Sequence, residues 1–378
     1  MRRSLLCSWA FAVFATTASA VPPVIESVSL SAATMNPTLG DSVQVTVNLS
    51  RAGNISVLVV DRDGFPVRTL AANGAVAAGV TRFRWDGRDD SGAVVPDEAF
   101  SFRIDWSAGT ERATYFPADV PAAMTSIDAD YYTVRTATLS YTLPVPSRVH
   151  VQAGTARSDP KTGELHGPVM KTIVNREPRA AGKIAEPWNG LDESGTIRVA
   201  DLRDFVIAIA VTPLPENSVI TYGKRSPTFA EAAVRRTGKS LFTHKASSHA
   251  HHAGLSVLDD VSPSLKIEPV NASWSEAERA WKVTGPVLKL RIAPAGPSAA
   301  DFARHPGELY AFVNGAEASR RPRPSAYPAE VQIPLPKGGD PATVTMNWRS
   351  EYGAVAANSI VVQRDAQPAK GGAAGASR

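Results

Sequence analysis

Cysteine is all but missing: the 378 residues contain one, Cys7, inside the apolar start of the chain. Internal disulfides and thiolate-ligated zinc are excluded, and thiol catalysis goes with Cys7 if that start is removed. An excess of one charge is missing too. Lys and Arg number 40 against 36 Asp and Glu, a net charge of +4, which gives no electrostatic footprint for nucleic acid. Beyond residue 20 no apolar run reaches the roughly 20 residues that a membrane span needs; Phe205–Val211 (FVIAIAV) is strand-sized. No Gly-x-Ser-x-Gly elbow occurs, no nucleophilic triad can be assembled, and no glycine-rich spot has the strand–loop–helix setting of a phosphate loop. Amphipathic helix is almost absent. What is present is 43% hydrophobic residues with 27 Gly and 29 Pro, a globular composition rich in turn formers. At about 100–200 residues per domain the length predicts two to four domains.

Residues 1–20 carry Arg2 and Arg3, a mostly apolar run from Leu5 to Ala15, and Ala18-Ser19-Ala20. A charged start, a short apolar core and a small-x-small site predict a secretory signal peptide, cut before Val21. The apolar run is too short for a membrane anchor. Cleavage leaves a cysteine-free chain of net charge +2 (38 against 36).

A repeat organises the following two thirds. Trp85-Asp86-Gly87-Arg88-Asp89-Asp90-Ser91-Gly92 aligns with Trp188-Asn189-Gly190-Leu191-Asp192-Glu193-Ser194-Gly195 at an offset of 103 (188−85). The same offset relates Gly64 to Gly167, Val67-Arg68-Thr69-Leu70 to Met170-Lys171-Thr172-Ile173, and Gly79 to Gly182. Several landmarks in one register mark a duplicated module. Val43, Val45, Val47 and Leu49 alternate with polar residues, as do Ile55, Val57 and Val59, and Phe100, Phe102 and Ile104. Period two with one buried face predicts strands, and the Asp- and Gly-rich stretches between them predict turns. The second copy offers Leu139–Leu143, Val149–Val151 and Asp204–Val211. Short strands at this spacing predict an Ig-like sandwich.

The string Gly64-x-x-Val67-Arg68-Thr69-Leu70, Ala78-Gly79, Trp85-Asp86-Gly87-x-Asp89-x-x-Gly92 resembles the Ig-like domain of flagellar hook-capping (FlgD-type) proteins. The resemblance covers residues 28–108 and, more weakly, 133–222, where Asn189 replaces the acidic residue and the loop Gly154–Gly167 is longer. It implies an Ig-like fold of a kind found in many exported bacterial proteins. Its motif marks a turn and a core Trp, so it implies little about chemistry.

Pro227–Arg236 can form one or two helical turns, and the polar, His-rich stretch that follows reads as linker. Strands return at Leu265–Ile267, Val287–Ile292, Tyr310–Val313, Val331–Ile333, Thr343–Trp348 and Ser359–Gln363, without the Trp-Asp-Gly landmark. The expected architecture is all-β: three tandem Ig-like β-sandwiches with a His-rich linker before the third. The expected boundaries are signal peptide 1–20, Ig-like domains at 21–112, 128–222 and 261–365, linker 223–260, and a disordered tail 366–378.

His244, His249, His251 and His252, four of seven histidines within nine residues, are the candidate metal ligands. Imidazoles suit zinc or copper, but no carboxylate lies inside the cluster. The alternative is a solvated linker that gains charge below a pH of about 6.5. No cofactor is otherwise expected. The acidic groups Asp61/Asp63, Asp86/Asp89/Asp90 and Asp192/Glu193 can hold calcium or, lacking a 12-residue ligand loop, simply close turns on their own backbone. Trp85 and Trp188 fit core anchors better than sugar platforms. Trp274 and Trp281 flank SEAERA, which reads either as a short helix or as a hairpin. Arg235-Arg236 and Arg320-Arg321-Pro322-Arg323 can touch acidic glycans or stay solvated.

With no catalytic set, the reading is a non-catalytic structural, adhesive or assembly protein of the bacterial envelope. It would be exported to the periplasm, the cell surface or beyond, and would bind another protein or itself. The alternative is a module that binds metal through the His cluster or glycan through exposed aromatics.

Overall fold

The structure is a computed structural model that describes residues 23–120, 122–155, 167–237, 264–296, 299, 307–321, 323–350 and 355–365. It is built almost wholly of strands, arranged among the described residues in six sheets, with three large groups of buried side chains and a smaller one around Trp188. Residues 1–20, the His cluster and the tail lie outside the described residues. Among the described residues no helix is long and apolar enough to cross a membrane.

The first module contains β1 (Ile25–Leu30), β2 (Thr34–Met35), β3 (Val43–Leu49), β4 (Gly53–Val60), β5 (Pro66–Val76), β6 (Gly79–Trp85), β7 (Ala99–Ala108) and β8 (Glu111–Tyr115). One sheet runs β1-β3-β6, and the other contains β7-β4-β5 with β8 beside β7. Along β3 every second residue is buried, and the same alternation on β4 and β7 brings Ile55, Val57, Val59, Phe102 and Ile104 into one core with Val43, Val45 and Val47. Apolar area removed from water at about 25 cal/mol per Å² drives this packing.

The second module contains β9 (Thr125–Ile127), β10 (Tyr131–Thr133), β11 (Thr138–Leu143), β12 (Ser147–Thr155), β13 (Val169–Arg179), β14 (Gly182–Pro187) and β15 (Phe205–Pro213). Its sheets run β10-β11-β14 and β13-β12-β15-β9, the same order as in the first module. The 103-residue offset therefore holds in space: β5 and β13 each have 11 residues, and Pro66 corresponds to Val169.

After β15 the chain turns back. The strand β16 (Val219–Thr221) joins the first module's sheet, antiparallel to the start of β7 and parallel to β2. Pairing register rather than chain position thus assigns these residues to the first module. The nine-residue helix α1 (Phe229–Thr237) follows, opened by a reciprocal capping box between Thr228 and Glu231.

The remaining strands are β17 (Ser264–Pro269), β18 (Ala272–Ser275), β19 (Ala280–Val283), β20 (Val287–Ala295), β21 (Gly307–Val313), β22 (Ala316–Arg321), β23 (Ala329–Pro334), β24 (Ala342–Ser350) and β25 (Val355–Arg364). They form a three-stranded sheet, β17-β20-β23, and a six-stranded one, β18-β19-β25-β24-β21-β22. Val344, Met346 and Trp348 of β24 fill the core between them. Thr345 and Asn347 face the other way, yet they are buried as well.

Candidate functional site

The repeated motif forms the same turn twice. Trp85 is fully buried, edge-on to Phe100 at 5.3 Å, and its Nε1 donates to the Arg88 carbonyl at 3.0 Å. Trp188 packs on Tyr132 and Phe205, and its Nε1 donates to the Leu191 carbonyl at 2.9 Å. Asp86 Oδ1 accepts from the Arg88 N–H, and Asn189 Oδ1 accepts from the Leu191 N–H, so an amide oxygen serves where a carboxylate stood. Asp89 Oδ1 accepts from Ser91 and Ala93; Asp192 Oδ1 accepts from Ser194, Thr196 and Ile197. These carboxylates close their own backbone, as Asp and Asn do in turns. Gly87, Gly92, Gly190 and Gly195 all have positive φ, which glycine adopts without steric cost. Among the described residues no three His, Cys, Asp or Glu side chains gather as metal ligands would.

The polar residues that converge lie where the modules meet, on β7, β12, β16 and α1. Glu98, just ahead of β7, is buried; its Oε1 accepts from Arg148 Nη2 of β12 at 2.6 Å, and its Oε2 lies 3.4 Å from Arg62 Nη1. Each of the three side chains is about 3% exposed. Burial alone would raise the Glu98 pKa, but Arg148 and Arg62 together outweigh it and hold the carboxyl below its ordinary range. Thr221 of β16 threads the same place. Its N–H donates to the Glu98 carbonyl at 2.8 Å, its hydroxyl donates to the Pro96 carbonyl, and its Oγ1 accepts from the Glu98 N–H.

Asp61 lies beside this pair. Its Oδ1 accepts from the Asp63 and Phe65 N–H groups, and its Oδ2 pairs with Arg236 of α1. Burial pushes its pKa up to about 7 against the pull of the Arg236 guanidinium, with the neighbouring Asp63 adding to the rise. Phe229 of α1 lies under the Arg62 guanidinium, 4.3 Å from its ring centre. Arg236, one of the basic pair read from sequence, is therefore a pairing residue between α1 and the first module.

A second joint uses hydrogen bonds without buried charge pairs. Asn347 of β24 accepts from the Val169 N–H at 2.9 Å and donates to the Val169 carbonyl at 2.7 Å, while Arg349 donates to the Gly167 carbonyl. Here the outer face of the six-stranded sheet seats on the start of β13. In the first module the corresponding residue is Pro66, which has no N–H to offer.

Trp274 and Trp281 form a cross-strand pair in the β18–β19 hairpin, with ring centres 5.6 Å apart at 64°. SEAERA is thus the hairpin's turn region rather than a helix. Trp274 is 48% exposed on the edge strand. Arg320 pairs with the Glu308 carboxylate and lies over Tyr310, and Arg321 donates to the Glu330 carbonyl. His244, His249, His251 and His252 lie outside the described residues. Neither Glu98 nor Arg148 stood out in the sequence. The cue was a Glu and an Arg at the starts of apolar strands.

Comparison with known families settles the module type. Residues 32–109 match the FlgD Ig-like domain. The FlgD-type match ends there, and the second module's kinship rests on the shared strand order and on the turn, which repeats the Trp Nε1 bond and the Asp86/Asn189 bond. No curated protein matches the chain. Among solved structures, the Clostridium perfringens spore cortex lytic enzyme SleM aligns at 18% identity over 28% of this chain and 30% of that one, with a TM-score of 0.19. A tetra-tandem repeat from the extending region of a large adhesion protein aligns at 11% identity over 89% and 73%, with a TM-score of 0.17. A bacterial ice-binding adhesin aligns at 9% identity over 92% and 99%, with a TM-score of 0.19. The chain spans less than a third of the SleM chain. TM-scores this low show no common overall arrangement.

Proposed function

We propose that the protein is an exported, non-catalytic structural or adhesive protein of the bacterial envelope, which holds other proteins through its Ig-like modules. The observation that carries this reading is the joint at Glu98. Three buried charges, a returning strand and a docked helix are spent on fixing one module against the next, as an element that bears load or sets spacing requires. The polar groups that converge among the described residues serve turns and joints, whose partners are already within the chain. The start of the chain, with its charged, apolar and small-residue segments, supports export.

The test is cross-linking of a tagged copy in native envelope and spent medium, followed by affinity purification. One stoichiometric envelope protein, or a ladder of the chain itself, supports the reading. A soluble monomer without partners overturns it.

A glycan-binding role is the second reading, favoured by the half-exposed Trp274 beside Trp281, because an aromatic face packs against a pyranose ring. Zinc or copper binding through His244, His249, His251 and His252 belongs to the same class. Alanine at His249, His251 and His252 should then abolish metal uptake without altering assembly.

A further inference from the structure

In both modules a neighbouring strand covers the same stretch of sheet edge, β8 on Ile104–Ala108 and β9 on Ile209–Val211. In the second, among the described residues, β9 is the strand on that side of β15 and it stops short of the start of β15. In the first, the start of β7 is covered by β16, which follows Phe100 by 119 residues (219−100). The returning segment is held as a ligand would be. Asn217 donates to the Val28 carbonyl and the Tyr115 hydroxyl, Thr221 bonds to Pro96 and Glu98, and the Lys224 N–H donates to Asp97. Arg236 then reaches Asp61. Yet β16 itself makes only two residue pairs on each side.

We propose that β16 and α1 of one copy occupy the same groove on the first module of a second copy, so that the chain forms a reciprocal strand-exchanged dimer. The occupant is fixed by continuity with the intramolecular interface, since every contact named above is restored unchanged between copies. The hinge is the connector between β8 and β9, whose described residues, 116–120 and 122–124, hold one helical turn, Pro117–Asp119. Its nine residues span roughly 30 Å when extended, and its Val120 and Met124 side chains are 74% and 52% exposed. Arg148 and β16 lie on the same side of that hinge and move together, so the Glu98 pair re-forms across the dimer. Synthesis order favours the exchange. All eight strands of the first module are made before Val219, and until then the start of β7 is an open edge of the kind that recruits another strand. This deepens the assembly reading by naming a second copy as partner.

The test refolds the full chain carrying Cys7→Ser from guanidinium over a range of concentrations, with mass read by size exclusion and light scattering. The expected result is a species of doubled mass whose share rises with refolding concentration and persists after dilution. Copies carrying Ala99→Cys or Ile220→Cys, residues paired across β7 and β16, are then refolded together under oxidising conditions. A disulfide-linked dimer containing one of each is expected. A monomer at every refolding concentration overturns the proposal. So does a dimer in which the two introduced thiols never link one copy to the other, while the double variant closes within one chain. A monomer here together with a captured envelope partner would sink this inference and leave the assembly reading standing.

Discussion

The first and second modules share strand order, turn chemistry and a buried Trp, and they differ in what completes them. The second covers Ile209–Val211 of its β15 edge with β9 and receives Asn347 on the backbone N–H and carbonyl of Val169 in β13. The first borrows β16 and α1 from beyond its neighbour and fixes that neighbour with a charge pair at Glu98. Each repeat covers part of that edge with a strand of its own, β8 or β9, and the first is completed further by a segment that returns from beyond its neighbour. Shared sequence governs the inside of each module, whereas the surroundings diverge at its end. There a module meets whatever the chain supplies next.

The sharpest way to break this difference is to strand the Glu98 charge. Arg148→Met should destabilise the first module by about 3–5 kcal/mol, because a buried carboxylate loses its main partner. Denaturant unfolding followed by limited proteolysis within 116–124 checks it, and a loss under about 1 kcal/mol would mean that the pair is not a joint. Proline on the two edge strands sharpens the same contrast. Ile220→Pro removes the N–H that reaches the Ala33 carbonyl and should cost about 3 kcal/mol. Hydrogen exchange should then rise at Ala99–Ser101 and stay low on β15, and Ser126→Pro in β9 should reverse the pattern.

Acid should separate the modules in opposite directions. The Asp61 pKa is raised to about 7, so its contribution is fully present below the unfolded value of 3.8 and is lost as pH rises through 7. His150, half-buried on β12, is lowered to about 3 by burial and by the Arg176 guanidinium. Its contribution is present above the unfolded value of 6.5 and is lost as pH falls toward 3. Between about pH 7 and 5 the first module should therefore gain stability while the second loses it. Asp61→Asn and His150→Gln should each flatten one of the two slopes, and parallel slopes in both modules would defeat the assignment. The smallest effect belongs to the shared turn: Asn189→Asp should shift stability by no more than about 0.5 kcal/mol, since either side chain offers the Leu191 N–H an acceptor.

Much of this was legible in the sequence because it is local. Alternation along Val43–Leu49 announced a strand with one buried face, and the 103-residue register announced two like turns. Trp85 and Trp188, read as core anchors, are buried anchors. The turn carboxylates bond to their own loops. The joints escaped because they depend on pairs far apart in the chain, such as Glu98 with Arg148 and Val169 with Asn347. Thr345 and Asn347 alternate with Val344, Met346 and Trp348, which share the other face of the strand. Polarity at period two says which face avoids the core, but not whether another module covers that face. β16 escaped for a related reason: three residues after a Pro-rich bend carry no mark of the sheet they will join.

Pro66 marks a backbone difference between the two repeats. Asn347 clasps both backbone groups of one residue, the N–H and the carbonyl of Val169, and the first module presents at that place a ring nitrogen with no hydrogen. Forced onto the wrong repeat, the amide would keep one bond and bury an oxygen that has lost its donor, a penalty of about 1–3 kcal/mol. The start of β13 therefore offers the third pair of sheets a donor and an acceptor on one residue, where the start of β5 offers the acceptor alone.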